Sequence, residues 1–167
     1  ECVLVSGQTP TIFVDGVTGT VGLVRITGEN DTKTGYRLDR DILAYKGVIG
    51  FEAVDLSYSE TVSSTLGATG DLATAMGFHT IASGECSTSM GIFSTASGTH
   101  STAMGNNTTA SGDFSTAMGH TTRASASYST AMGYNTTAFA SYSTAMGQNT
   151  TASGTHSTAM GNNTTAS

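Results

Sequence analysis

The side chains able to do chemistry are few and scattered. Cys2 and Cys86 are the only cysteines, and no second pair or nearby His stands at the spacing that a zinc site or a disulfide framework needs. Neither is expected; Cys86 occupies a repeat position filled elsewhere by Phe114, Tyr128 and His156. His79, His100, His120 and His156 fall at variable positions. His100 and His156 share one slot four turns apart, too far at about 4.8 Å per turn to hold one ion within a chain, although symmetry could group copies from three chains. Asp39 and Asp41 would share one face of a strand, and paired carboxylates can act as acid and base; solvated turn charges are the expectation. There is no nucleophile elbow, P-loop, HExxH or glycine fingerprint. The chain is therefore expected to be no enzyme, with no catalytic residue, bound metal or cofactor.

Asn-x-Thr sequons recur at Asn106, Asn107, Asn135, Asn149, Asn162 and Asn163, with another at Asn30. In a chain of eukaryotic origin Asn106, Asn107, Asn135 and Asn149 could carry glycans along one edge. Asn also suits tight turns without any glycan.

The elements that hold these residues must be built from an unusual composition. Residues 1–72 contain five of the six basic and ten of the twelve acidic residues; beyond them only Glu85, Asp113 and Arg123 are charged. Leu and Val also stop at Leu72, after which Ile81 and Ile92 are the only branched aliphatics. A conventional core is excluded there. The net charge of -6 offers no basic stripe for a phosphate backbone, so a nucleic-acid partner is not expected. No apolar run approaches the roughly 20 residues of a membrane-spanning helix, so this segment is expected not to enter a membrane. The chain begins at Glu1 and stops at Ser167 within a repeat, and it reads as a piece of a longer polypeptide.

Aligned on Met, residues 71–167 fall into copies of STAMGxNTTASGxx with a period of 14 and no insertion. All seven Met, at positions 76, 90, 104, 118, 132, 146 and 160, occupy one slot. Each copy holds a near-repeat of seven: Ala103-Met104-Gly105 is echoed by Ala110-Ser111-Gly112. A flexible linker has this composition but no reason to hold a register. Helices fail on the Thr, Ser and Gly content. Short strands bounded by glycine turns, stacked turn on turn, are predicted.

Alternation along a strand sets direction. In Ser115-Thr116-Ala117-Met118-Gly119, Thr116 and Met118 face one way and Ser115, Ala117 and Gly119 the other. In the second half-turn Arg123 and Ser125 take the Thr and Met places. An Arg inside a thin coil would be a buried unpaired charge, and Phe139, at the Ser125 place one turn on, is too large for that interior. The inside is therefore predicted to be lined by Ala and Gly: Ala103, Ala117, Ala131 and Ala145, with Gly77, Gly91, Gly105, Gly119, Gly133, Gly147 and Gly161 at the interior and tight turns. Met76, Met90, Met104, Met118, Met132, Met146 and Met160 then form an outward ladder. Burying seven Met is worth roughly 10 to 20 kcal/mol, and a seam between identical parallel chains would achieve it.

The pattern S-T-A-M-G-x-N-T-T-A-S-G-x-x resembles the head repeat of trimeric autotransporter adhesins, with Met where those repeats usually carry Ile; the resemblance runs from about Ala73 to Ser167. It implies an all-β fold, a left-handed parallel β-roll or solenoid with 14-residue turns, three rolls about a three-fold axis, and attachment to a surface receptor, matrix or glycan from an extracellular, cell-surface or virion position. Similar repeats occur in viral and phage fibres. The neck and membrane anchor of that family are not found in these residues.

Residues 1–62 read as a separate small β module, prism-like or intertwined, with strands at Ile12-Phe13-Val14, Thr20 to Thr27 and Val48 to Phe51 and a bulge at Gly22; TGYRLDRDIL weakly resembles segments preceding such repeats in fibre proteins. Residues 63–72 read as a capping segment and 73–167 as the roll. Two functions compete: a segment of a homotrimeric fibre or adhesin, or an ice-binding solenoid using outward ladders such as Thr109 with Ser111 and Thr151 with Ser153. Arg123 and Phe139 interrupt that ladder, which favours the fibre.

Overall fold

The computed structural model of the chain describes residues 23–27, 34–38, 48–60 and 63–167. All regular structure in them is β. A ten-stranded sheet runs from Leu23–Thr27 and Thr34–Leu38 through Val54–Tyr58 and Thr74–Phe78 to Thr158–Asn162, and an eight-stranded sheet of two-residue strands runs from Gly67–Ala68 to Thr165–Ala166. Apart from the antiparallel pair Leu23–Thr27 with Thr34–Leu38, every pairing is parallel. Met118 pairs with Met104 and Met132, and Thr109 with Thr95 and Arg123. The chain is a parallel β-solenoid with 14-residue turns.

The half-turn symmetry is written into the backbone. From Leu72 to Asn163 every seventh residue has φ between 51° and 63°, the left-handed conformation that reverses direction at each end of the flattened turn. The turns also belong to the ladder: the N–H of Thr121 donates to the carbonyl of Asn106, and that of Tyr128 to the carbonyl of Asp113. Few turn amides are left for water to satisfy.

The interior is narrow. Ala103, Ala117, Ala131 and Ala145 on the long strands, and Ala110, Ala124, Ala138 and Ala152 on the short ones, are completely buried and stack into one core. Flanking them are buried Ser101, Ser115, Ser129 and Ser143 at one end and Thr108, Thr122, Thr136 and Thr150 at the other. The hydroxyls of Ser101, Ser115 and all four of those Thr make no hydrogen bond to protein atoms.

The glycines predicted to share the interior do not line it. Gly77, Gly119, Gly133, Gly147 and Gly161 are exposed, and Gly91 and Gly105 half-buried, because all seven have φ between 113° and 130° and strand alternation ends there. Glycine is required for another reason: a Cβ on Gly119 would lie 2.1 Å from the carbonyl oxygen of Gly133. Thr108, Thr122, Thr136 and Thr150 fill the interior where alternation had placed Gly, opposite the Ser that alternation already put inside.

The parallel ladder starts upstream of the repeats. Val54–Tyr58 lies on the N-terminal side of the boundary drawn at residues 62 and 63, yet it pairs in register with Thr74–Phe78 in the same sheet. Gly67–Ala68, placed in the capping segment, pairs with Ile81–Ala82. Val48 to Phe51 is not a strand. Gly50 stacks beneath Gly70 at the turn, and Glu52 has φ 49°. Asp55 stands in the Ala slot, fully buried; its carboxylate accepts from the amide and hydroxyl of Ser57 and fills the space left by Gly67, whose added Cβ would sit 2.3 Å from Oδ2. Leu23–Thr27 is a strand within the predicted Thr20 to Thr27. Cys2, Ile12 to Val14, Gly22, Asn30, Asp39 and Asp41 lie outside the described residues, and of TGYRLDRDIL only the strand Thr34–Leu38 is described.

Candidate functional site

With the interior filled by Ala, Ser and Thr, the larger side chains stand outside, and stacking turns each repeat slot into a straight ladder. On the long-strand sheet the seven Met pair in consecutive register. Each remains half-buried or exposed, Met104 at 36% and Met160 at 59%. Leu56 pairs with Met76 and adds an eighth rung, which the Met alignment did not reveal. The flanking Thr102, Thr116, Thr130 and Thr144 line the same face and are half-buried.

On the short-strand sheet Thr95, Thr109, Thr137 and Thr151 face outward, with Arg123 at the same position. Arg123 is exposed, and its Nε donates to Ser125 Oγ at 2.9 Å. Phe139 is 64% exposed. These two interrupt the Thr and Ser ladder in adjacent turns.

The two edges differ. The first loop of each turn follows the long strand and the second follows the short strand; along the second loop His100, Phe114, Tyr128, Tyr142 and His156 stack face to face, with centroids 4.8 to 5.0 Å apart and planes within 5°. Along the first loop Asn135 Nδ2 donates to Asn149 Oδ1, and Asn149 Nδ2 to Asn163 Oδ1, at 2.9 and 3.1 Å. Beside them His120 stacks on Tyr134. The shared slot of Cys86 with Phe114 and Tyr128 was visible in the sequence, but the continuous ring stack was not read from it. Cys86 is a half-buried free thiol.

The four His do not converge. His79 packs among Phe78 and Phe93 with Nε2 3.5 Å from Ser59 Oγ, and the other three stand in the ring stacks above. Among the described residues no group of three His, Cys, Asp or Glu is placed to hold a metal ion, and no helix is long and apolar enough to cross a membrane. Asn106, Asn107, Asn135 and Asn149 are exposed at the first-loop edge.

A stack of short 14-residue turns whose outer slots line up as ladders defines a structural repeat segment. The family model for the YadA head domain repeat matches residues 68–94, 82–108, 96–122, 110–136, 124–150 and 152–167. The chain belongs to the YadA head domain repeat family, and its family and fold are those of a structural adhesin β-roll. No match was found among the curated proteins or the solved structures.

Proposed function

We propose that the chain is a segment of a homotrimeric fibre or adhesin, displayed outside the cell or on a virion, that mediates attachment by presenting many copies of a weakly binding surface to a receptor, matrix or glycan. The observation that supports it is the outward apolar ladder of Leu56 and the seven Met, on one face of a coil too thin to bury it. Proteins of this family form homotrimers, and three parallel copies about a cyclic axis would set each rung against its equivalents. Met, unbranched and polarizable, fits such a seam.

The ice-binding alternative needs a flat, unbroken ladder of hydroxyls. Exposed Arg123 and Phe139 stand in adjacent turns of the only sheet face that carries the Thr and Ser ladder among the described residues, and attachment is the better-supported reading.

Sedimentation velocity tests the proposal. The expected result is a trimer for the unaltered chain and for the variant with Met118→Leu and Met132→Leu, and loss of the trimer when both become Asp, which traps charges at the seam. A monomer for the unaltered chain, or an Asp variant that stays trimeric with unchanged melting, would overturn it.

A further inference from the structure

The aromatic ladder occupies a backbone position that does not favour it. Phe114, Tyr128 and Tyr142 have φ of 56° to 60°, a region where bulky residues are outliers and Asn is the common occupant. The first loop makes the same turn with Asn107, Asn135, Asn149 and Asn163 at φ of 51° to 56°. Five aromatic residues in successive second-loop turns therefore act as more than turn formers. Strain of this kind persists where the surroundings offset it, and ring stacking offsets part.

Because the rings stack face to face, their faces are covered and only their edges point outward; Phe114, Tyr128 and Tyr142 remain about half exposed. A sugar that needs a free ring face is poorly served. A partner touching five successive rungs must itself repeat at the same rise of about 4.8 Å, which a parallel second copy of this chain does.

The dimensions of the Met sheet require such a contact. Seven rungs of a five-residue strand make a face roughly 30 Å tall and 16 Å wide, or about 500 Å² shared between two neighbours. A stable interface needs about 800 Å² per partner, so contact must continue past the strand onto the edges that flank it. Charge does not oppose this: between His100 and Ser167 only Asp113 and Arg123 are charged, and Asp113 Oδ1 accepts the Thr99 amide within its own edge.

We infer that the second-loop aromatic ladder packs along the first-loop edge of the neighbouring chain, against the row containing Asn106, His120, Tyr134 and Gln148, and closes each corner of the assembly. A cyclic trimer joins unlike edges, which accounts for the different chemistry of the two loops. The inference rests on the trimeric reading above.

The test uses the full chain with the photoreactive residue benzoylphenylalanine at position 128, assembled from a mixture of isotopically labelled and unlabelled chains. The expected result is a cross-link between labelled and unlabelled peptides that maps to the first-loop edge around residues 106 to 149. A second measurement replaces Tyr128 and Tyr142 with Asn, which suits the turn; the trimer dissociation constant should rise at least tenfold while the circular dichroism of the isolated chain is kept. A trimer whose cross-links stay within one chain or reach the short-strand sheet, or whose dissociation is unaltered in the Asn variant, overturns the inference and leaves the trimer standing. An unaltered chain that is monomeric removes the trimer itself.

Discussion

The hydroxyl of Ser89 donates to the carbonyl oxygen of Ser94 at 2.9 Å and lies 3.0 Å from the Ser94 hydroxyl, inside one turn of the solenoid. The corresponding pair in the other repeats is Ala with Thr, as in Ala103 with Thr108 and Ala117 with Thr122. Ser plus Ser has the same number of side-chain heavy atoms as Ala plus Thr, so the exchange moves one atom across a closed interior without changing its volume.

A double-mutant cycle exposes this coupling. Ser94→Thr alone crowds the Ser89 hydroxyl and should cost about 1–3 kcal/mol, whereas Ser89→Ala with Ser94→Thr restores the common pair and should fall within about 0.5 kcal/mol of the unaltered chain. Urea unfolding would measure it; additive single effects would show that the positions do not share space.

Gly119 and Gly161 have nearly the same φ, 121° and 118°, but different neighbours: a Cβ on Gly119 meets the carbonyl of Gly133 at 2.1 Å, and one on Gly161 meets only Thr164 Cγ2 at 3.5 Å. Gly161→Ala should cost about 1–2 kcal/mol of conformational strain. Gly119→Ala adds a backbone clash and should cost about 3 kcal/mol or more. Equal losses in thermal melting would mean that rung spacing yields freely.

Some yielding is already visible in the second loop. Ala126 and Ala140 stand where other turns have Gly98 and Gly112, and the next rungs' bonds, Tyr142 N–H to Ser127 and His156 N–H to Ser141, lengthen to 3.1 Å from the 2.8 Å of Phe114 and Tyr128. Ala126→Gly is therefore expected to change stability by under about 1 kcal/mol, read from the denaturant midpoint.

Thr136 is fully buried and its hydroxyl has no protein partner. Burying such a group carries a desolvation penalty of about 1–3 kcal/mol, and Val nearly matches its volume. Thr136→Val should raise stability by about 1 kcal/mol, seen as a higher denaturant midpoint at unchanged slope. A fall would mean that the hydroxyl is satisfied in solution.

Asn149 joins two rungs, accepting from Asn135 and donating to Asn163. Asn149→Gly keeps the turn and removes both amide bonds, and should cost under about 1 kcal/mol at this exposed edge. Asn149→Ala loses the same bonds and adds left-handed strain of about 1–2 kcal/mol. Chemical denaturation of both variants separates the two contributions.

Period and direction were legible in the sequence because both are local. A Met at every fourteenth position admits a stacked coil and no linker or helix, and Arg123 and Phe139 settle which face is outside because a thin interior can accept neither an unpaired charge nor a ring. Other features depend on residues that meet only when turns close. The turn from Val54 to Thr74 takes 20 residues where the repeats take 14, and this longer turn hides Leu56 beneath Met76, Gly50 beneath Gly70 and Asp55 in an Ala slot. Alternation placed Gly119 inside, but its positive φ turns the chain outward there, and a dihedral is not written in a residue's spacing. The ring stack likewise required the left-handed turn to aim His100, Phe114, Tyr128, Tyr142 and His156 along one line at the rise of the ladder. Residue types at a fixed spacing determined that this chain coils and which side of each strand is dry; closure of the turns decided which side chains touch.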